Sequence, residues 1–391
     1  MLENVVSTLL SSPMFNLSLS SKELFHSNFL SWVFSLYKDE SLPYLRQFIA
    51  DFDQRYSLVR IKREKKNKDL TLYFEDDRGR SKVLYIENKV KSIPVFAQLK
   101  EYSQGSMAHE YFLLLSLSRP SFFNEGQLNI GNVTWKYLSY GELADNLQNL
   151  SLVIRKKNLY HANILEDYIS FIGCLHQIAV EIDIQKDTYN LYTKNSILPQ
   201  LKQLRLHDFY IKHKHAMLAN AFFQAIGNRI PDINLVPPKK HWEEGKYQEV
   251  FVGTGYTNGK GLSEVKYVID MEDNYPVILG IQVQGDQFRL FLEAKKRAAF
   301  LANELLDKGL WFNFLEAKQV NTFGSLEYPT NKGKKFNTYS GTFMYRAIKI
   351  GNCRFDHLVD LIVTYIRYIH NHREQLEDFI KTRQLAQHSS F

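Results

Sequence analysis

Lys68-Asp69-Leu70-Thr71-Leu72-Tyr73-Phe74 and Lys82-Val83-Leu84-Tyr85-Ile86-Glu87-Asn88-Lys89-Val90 are two strand-like runs, separated by Glu75-Asp76-Asp77-Arg78-Gly79-Arg80. The polar, glycine-containing segment between them has the composition of a hairpin turn. Side chains alternate along a strand, so Glu87 and Lys89 share one face while Leu84, Ile86 and Val90 point to the other. A turn centred near Arg78 places Asp69 opposite Glu87, and directly opposed residues of an antiparallel pair also share a face. The same register brings Leu70, Leu72 and Phe74 to the side of Leu84 and Ile86, which supports it. Two carboxylates and one ammonium are thus expected on one side of a hairpin whose other side is apolar.

Around this hairpin the pattern alternates. Phe25, Phe29, Trp32 and Leu36 predict a helix over Ser20 to Tyr37. Pro43 is placed to open a short helix over Tyr44 to Ala50, and Pro94 another reaching about Gln104. Tyr111 to Leu117 reads as a buried central strand, Asn132 to Tyr140 as a strand and Tyr160 to Val180 as a long helix. The second half reads as a helix over Leu198 to Asn228, then strands at Gln248 to Val252, Glu264 to Met271, Val277 to Gln284 and Gln287 to Leu292. A helix over Ala294 to Lys308, a strand over Thr342 to Ile350 and a helix over Asp356 to Phe379 complete it. This is an α+β pattern with an antiparallel sheet. The boundary is expected between Asp183 and Asn195, giving domains over 1–185 and 196–391.

Phosphodiester hydrolysis needs a set such as Asp69, Glu87 and Lys89. Two carboxylates hold a hard cation such as Mg²⁺, with Mn²⁺ a possible substitute. A backbone carbonyl, here that of Asn88, can complete the shell. A lysine can orient the attacking water and stabilise negative charge. The Glu-x-Lys triplet alone carries little, since it recurs at Glu64-Lys66, Glu264-Lys266, Glu293-Lys295 and Glu316-Lys318. The joint pattern of matched Asp69, apolar strand and flanking helices is what singles out Glu87.

Asp69 followed by Glu87-Asn88-Lys89 resembles the core of the PD-(D/E)xK nuclease superfamily. Glu23-Leu24-Phe25-His26-Ser27 resembles the first helix of a bacterial branch with a Glu-x-x-His-Ser pattern. Gln98-Leu99 and Tyr102 resemble the glutamine and tyrosine of the helix after the lysine strand. One departure is Lys68, which stands where the family pattern has a proline that many members also lack. The resemblance covers roughly Ser20 to Leu117, reaching at most Val180. It implies a restriction-endonuclease-like α/β fold, a mixed sheet flanked by helices, with Asp69 and Glu87 as metal ligands and Lys89 as catalytic lysine. It also implies site roles for Glu23 and Gln98, with DNA the favoured substrate and restriction or anti-phage defence an association of the branch.

Plainer readings stand beside these. Ser20 and Glu23 form a Ser-x-x-Glu capping box, which alone would explain Glu23. His26 suits a buried structural role as well as a site role. His207, His213, His215, His370 and His372 are expected on solvated helix faces, because no cysteines accompany them to build a zinc site. The run from Lys62 to Lys68 and the loop from Lys332 to Lys335 read equally as phosphate grips or exposed loops. Gly253, Gly255, Gly259 and Gly261 read as turns between strands.

Composition bounds the rest. The chain of 391 residues has 45% hydrophobic and 14% aromatic content, enough for cores in both halves. A net charge of +7 is compatible with a nucleic-acid partner. Two cysteines, Cys174 and Cys353, exclude a disulfide framework and suit a cytoplasmic protein. No apolar run is long enough for a membrane span, and no export signal is recognisable. A homodimer is expected, and an unidentified partner or activating ligand is open. The competing functions are a catalytically silent nucleic-acid-binding module, disfavoured by retention of all three core residues, and a sensor or interaction protein built on the C-terminal half.

Overall fold

Asp76 fixes the hairpin on which the site depends. Its carboxylate accepts from the Arg78 and Arg80 amides at 3.0 and 2.8 Å and from the Arg80 guanidinium at 2.7 Å. This is the local side-chain bonding that makes aspartate a turn former. Gly79 supplies the left-handed residue, with φ +74°. The turn joins β2 (Lys68–Glu75) to β3 (Ser81–Lys89), in a register running from Glu75 opposite Ser81 to Leu70 opposite Ile86.

A computed structural model describes residues 2–18, 22–65, 68–90, 92–120, 122–181, 198–236, 249–257, 259–272, 275–319, 323–327, 335–351 and 353–388. It divides into two compact units. The first takes the chain through its seventh helix together with Pro199–Tyr210, and the second takes the chain from Ile211 onward.

The first unit opens with α1 (Leu2–Ser11), α2 (Pro13–Ser18), α3 (Lys22–Leu36), α4 (Lys38–Leu45) and β1 (Ser57–Lys65), ahead of the hairpin. After it come α5 (Phe96–Ser103), β4 (Glu110–Ser116), β5 (Gln127–Ile130), β6 (Val133–Ser139), α6 (Tyr140–Arg155) and α7 (Leu159–Glu181). The sheet order is β1-β2-β3-β4-β6-β5. It is mixed: β3, β4 and β6 run parallel, and the other pairs are antiparallel. Helices α3 and α4 pack behind the hairpin, where Leu70, Leu72, Phe74, Leu84 and Ile86 are all buried.

Several expectations need correction. The face carrying Glu87 is not polar throughout: Val83 and Tyr85 share it and pack with Leu99, Phe112, Leu114 and Trp135. Strand β3 is therefore buried on both sides, as the partner of a parallel strand usually is. Pro43 lies inside α4 rather than opening a helix. Helix α6 was absent from the sequence reading, although Ser139 and Glu142 form a complete capping box at its start.

Helix α8 (Leu198–Gln203) belongs to the first unit from Pro199 on, and α9 (His207–Arg229) leads into the second, which continues with β7 (Leu235–Val236), β8 (Val250–Thr257), β9 (Lys260–Glu272), β10 (Tyr275–Gln284) and β11 (Gln287–Glu293). There follow α10 (Ala298–Asp307), α11 (Leu315–Gln319), β12 (Phe323–Glu327), β13 (Asn337–Tyr339), β14 (Phe343–Ile350), α12 (Phe355–Asn371) and α13 (Arg373–His388). The unit division falls within α9. The sheet, ordered β12-β14-β11-β10-β9-β8-β7 with β13 beside β14, is antiparallel apart from β7 with β8. The single helix expected over Leu198 to Asn228 is two, broken where Arg205 adopts φ +52°. The expected last helix is likewise split at His372. Gly253 and Gly255 lie within β8 and Gly261 within β9; only Gly259 is in the turn, with φ +73°.

The histidines also depart from expectation. His215 is completely buried, with Nδ1 2.9 Å from the Ser263 hydroxyl, and that hydroxyl donates to the His215 carbonyl at 2.7 Å. A Cβ on Gly261 would lie 2.1 Å from the ring, so only glycine leaves room for it. His213 is buried too, while His372 is exposed and His370 meets the Tyr267 hydroxyl at 3.0 Å.

Burial pushes the His215 imidazole from 6.5 down to about 3, so it is neutral in the fold. Unfolded chains then bind one more proton than folded ones below about pH 6.5. Stability is complete above that pH and falls towards pH 3, with a slope of about 1.4 kcal/mol per unit. Urea unfolding at pH 7 and pH 5 should show a smaller difference in His215→Gln than in the parent. Equal differences would remove His215 as the source.

Candidate active site

Asp69 stands one residue beyond the last β2 position paired with β3, facing Glu87 by continuation of that register. There a side chain takes over from the ladder: Asp69 Oδ2 accepts the Asn88 main-chain N–H at 2.7 Å. Charge-assisted bonds of this kind are among the stronger ones. On the same face Lys89 Nζ lies 2.8 Å from Glu87 Oε1, both side chains being largely buried. Gln98, in the first turn of α5, donates to the same Glu87 oxygen at 3.1 Å and to the Tyr102 hydroxyl at 2.8 Å. The spacing of four residues puts Gln98 and Tyr102 on one helix face.

The Tyr102 phenol reports this electrostatic neighbourhood. Burial raises its pKa most; the Gln98 hydrogen bond lowers it, Glu87 and Asp69 raise it and Lys89 lowers it. Lys68 closes the cluster, its ammonium 4.6 Å from the Tyr85 ring centroid and 5.4 Å from that of Tyr102. Asp69, Glu87, Lys89 and Gln98 are thus brought together. Of Glu23, the structure describes only its place in the first turn of α3, and Ser20 lies outside the described residues.

Asn88 contributes its backbone here, because its side chain turns to the other side of the sheet. Its amide donates to the Ser27 hydroxyl of α3 at 3.3 Å, and its oxygen accepts from the Tyr140 hydroxyl of α6. His26, next to Ser27, is buried and meets the Tyr168 hydroxyl at 3.0 Å, which is a structural role. Tyr140 is the residue that sequence reasoning missed. The capping box that begins at Ser139 could have found its helix.

The donor set suits a hard cation. Two carboxylates on adjacent strands and a nearby strand carbonyl offer oxygen only, as an ion that retains several waters requires. Among the described residues no group of three or more His, Cys, Asp and Glu side chains is placed to hold a metal ion. Of the recurring Glu-x-Lys triplets, Glu264-Lys266 is not a solvated pair: Lys266 is buried, 2.8 Å from Glu293 and 3.7 Å from Glu264. Lys335 pairs with Asp307 at 2.8 Å, whereas 332–334 lie outside the described residues.

No protein-family model, no curated protein and no solved structure matches the chain. No helix among the described residues is long and apolar enough to cross a membrane.

Tyr140→Phe should destabilise the first unit by about 1–3 kcal/mol, because it removes a donor from the buried Asn88 amide. Denaturant titration checks this. A loss below about 0.5 kcal/mol would mean that the contact does not hold Asn88 in place.

Proposed function

We propose that the first unit is a divalent-metal-dependent nuclease of the PD-(D/E)xK kind, with a restriction-endonuclease-like fold. The observation that carries the reading is the convergence of Asp69, Glu87 and Lys89 on one face of two adjacent strands, with Gln98 bonded to Glu87. Asp69 and Glu87 would hold Mg²⁺, helped by the Asn88 carbonyl. When bound, the ion supplies Lewis-acid polarisation of the phosphate and a more acidic water.

The chain's own residues do the remainder. The Asn88 N–H fixes the Asp69 carboxylate, and Gln98 restrains Glu87, so the ligand geometry is set before substrate arrives. Lys89 is shared between holding Glu87 and meeting an incoming phosphate, where its charge offsets the negative charge that builds at the transition state. Tyr102 keeps Gln98 turned towards the site. DNA is the favoured substrate by resemblance. The second unit is assigned to recognition of a partner, substrate or activating ligand, and a homodimer in the cytoplasm is part of the same proposal.

Purified protein with supercoiled plasmid, linear duplex, single-stranded DNA or RNA should cut at least one substrate with Mg²⁺ or Mn²⁺, and none with EDTA. Lys89→Ala and Glu87→Ala, with unchanged circular dichroism, should each lower the rate by about a hundredfold or more. Cutting that survives both substitutions would move the active site elsewhere.

A further inference from the structure

The face bearing Asp69, Glu87 and Lys89 continues past β2 onto the edge strand β1. Pairing sets Arg60 opposite Tyr73 and Lys62 opposite Thr71, and Tyr73 and Thr71 lie opposite Val83 and Tyr85 of β3. Directly opposed residues share a face. Arg60 and Lys62 therefore project on the side of Asp69 and Glu87. They do so because the register shifts by one residue between Leu58 and Arg60: Leu58 still faces inward with Phe74, and the extra residue, Val59, turns the next positions over. The Arg60 guanidinium lies 4.3 Å from the Tyr73 ring centroid.

On this face α5 packs through Leu99 against β3, β4 and β6, and Tyr73 of β2 is part-buried against the same cluster. Helices α3 and α4 pack on the opposite side. Arg60 is exposed and Lys62 half-buried, with Lys68 over the Tyr85 and Tyr102 rings between them and the site. Thr71, completely buried on the same face, has no hydrogen-bond partner for its hydroxyl among the described residues. A buried hydroxyl is costly unless a ligand or a water completes its bonding. The charges on this face are Arg60, Lys62, Lys68 and Lys89, interleaved with Glu64, Asp69, Glu75, Glu87 and Glu110. Two strand spacings, about 10 Å, separate β1 from β3, which is within reach of one extended polyanion.

We propose that the β1 side of this face is the track that leads a nucleic-acid strand to the site, its phosphates held by Arg60, Lys62 and Lys68. The identity of the occupant rests on the nuclease reading; the location of the track does not. The rings of Tyr73, Tyr85 and Tyr102 hold Arg60 and Lys68 in place, and cations of this kind grip backbone and carry no base readout.

Fluorescence anisotropy with a labelled single-stranded DNA of about 20 nucleotides, longer than a typical single-strand site, tests it. Binding is read against salt with Ca²⁺ present, and a gel confirms that the oligonucleotide stays intact. Arg60→Gln/Lys62→Gln should weaken binding by about tenfold and lower the salt slope by about 1.4, the value for two lost phosphate contacts. Arg60→Lys/Lys62→Arg should retain the parent slope. Lys100→Ala/Lys156→Ala, with the same charge change at exposed positions elsewhere, should also retain it. A parent slope in the glutamine variant, or no binding by the parent, overturns the track. If the slope falls as expected while the parent cuts no substrate with Mg²⁺, the track stands and the nuclease reading fails.

Discussion

One hydrogen bond, from the Asn88 amide to the Asp69 carboxylate, organises the first unit's site. Pairing with β3 stops at Leu70, one residue short of Asp69. By accepting a main-chain proton from β3, its side chain prolongs the sheet and is itself oriented by it. Asn88 is held from behind by Ser27 and Tyr140, so two helices on one side of the sheet determine where an acid sits on the other. The arrangement is rigid because its parts lie on strands and buried helices, the setting in which functional groups are held most closely.

Burial on both sides of β3 has a cost that the site makes visible. Glu87 is almost wholly removed from water, and a lone carboxylate there would be strongly disfavoured. Lys89 and Gln98 offset that penalty. The same contacts offset most of the charge of the cluster, and beyond it Arg60, Lys62 and Lys68 alternate with Glu64, Glu75 and Glu110. A polyanion approaching from the β1 side meets Arg60 and Lys62 before it meets Asp69 and Glu87.

The hairpin was legible because three independent signals agreed: alternation, a turn with Asp76 and Gly79, and the match of Asp69 with Glu87. The pairing of Leu70 with Ile86 is the register that alternation required. Other features were hidden for physical reasons. Helix α6 is amphipathic but begins directly at the end of β6, so a run taken as strand ran into it. Pro43 was read as a start because proline is tolerated in a first turn, whereas here it sits near the end of a short helix. The burial of His215 depends on the space left by Gly261, 46 residues away in sequence and beyond any local pattern. The Asn88 clamp and the Arg60 track share that difficulty, since each is made by residues that only the sheet and helices bring together.

The extra residue in β1 bears on how this chain can change over generations. Substitution along an exposed edge strand is usually tolerated, and the charges there also discourage another chain from adding to the sheet. A change of length is different. Deleting a single residue at the shift between Leu58 and Arg60 would invert every later side chain of the strand, turning Arg60 and Lys62 inward and Ile61 and Arg63 outward. Lineages of this protein should therefore keep the residue count of β1 fixed, along with its inward Leu58 and the cations at Arg60 and Lys62, while its other positions vary and insertions and deletions stay in the segments that flank the strand.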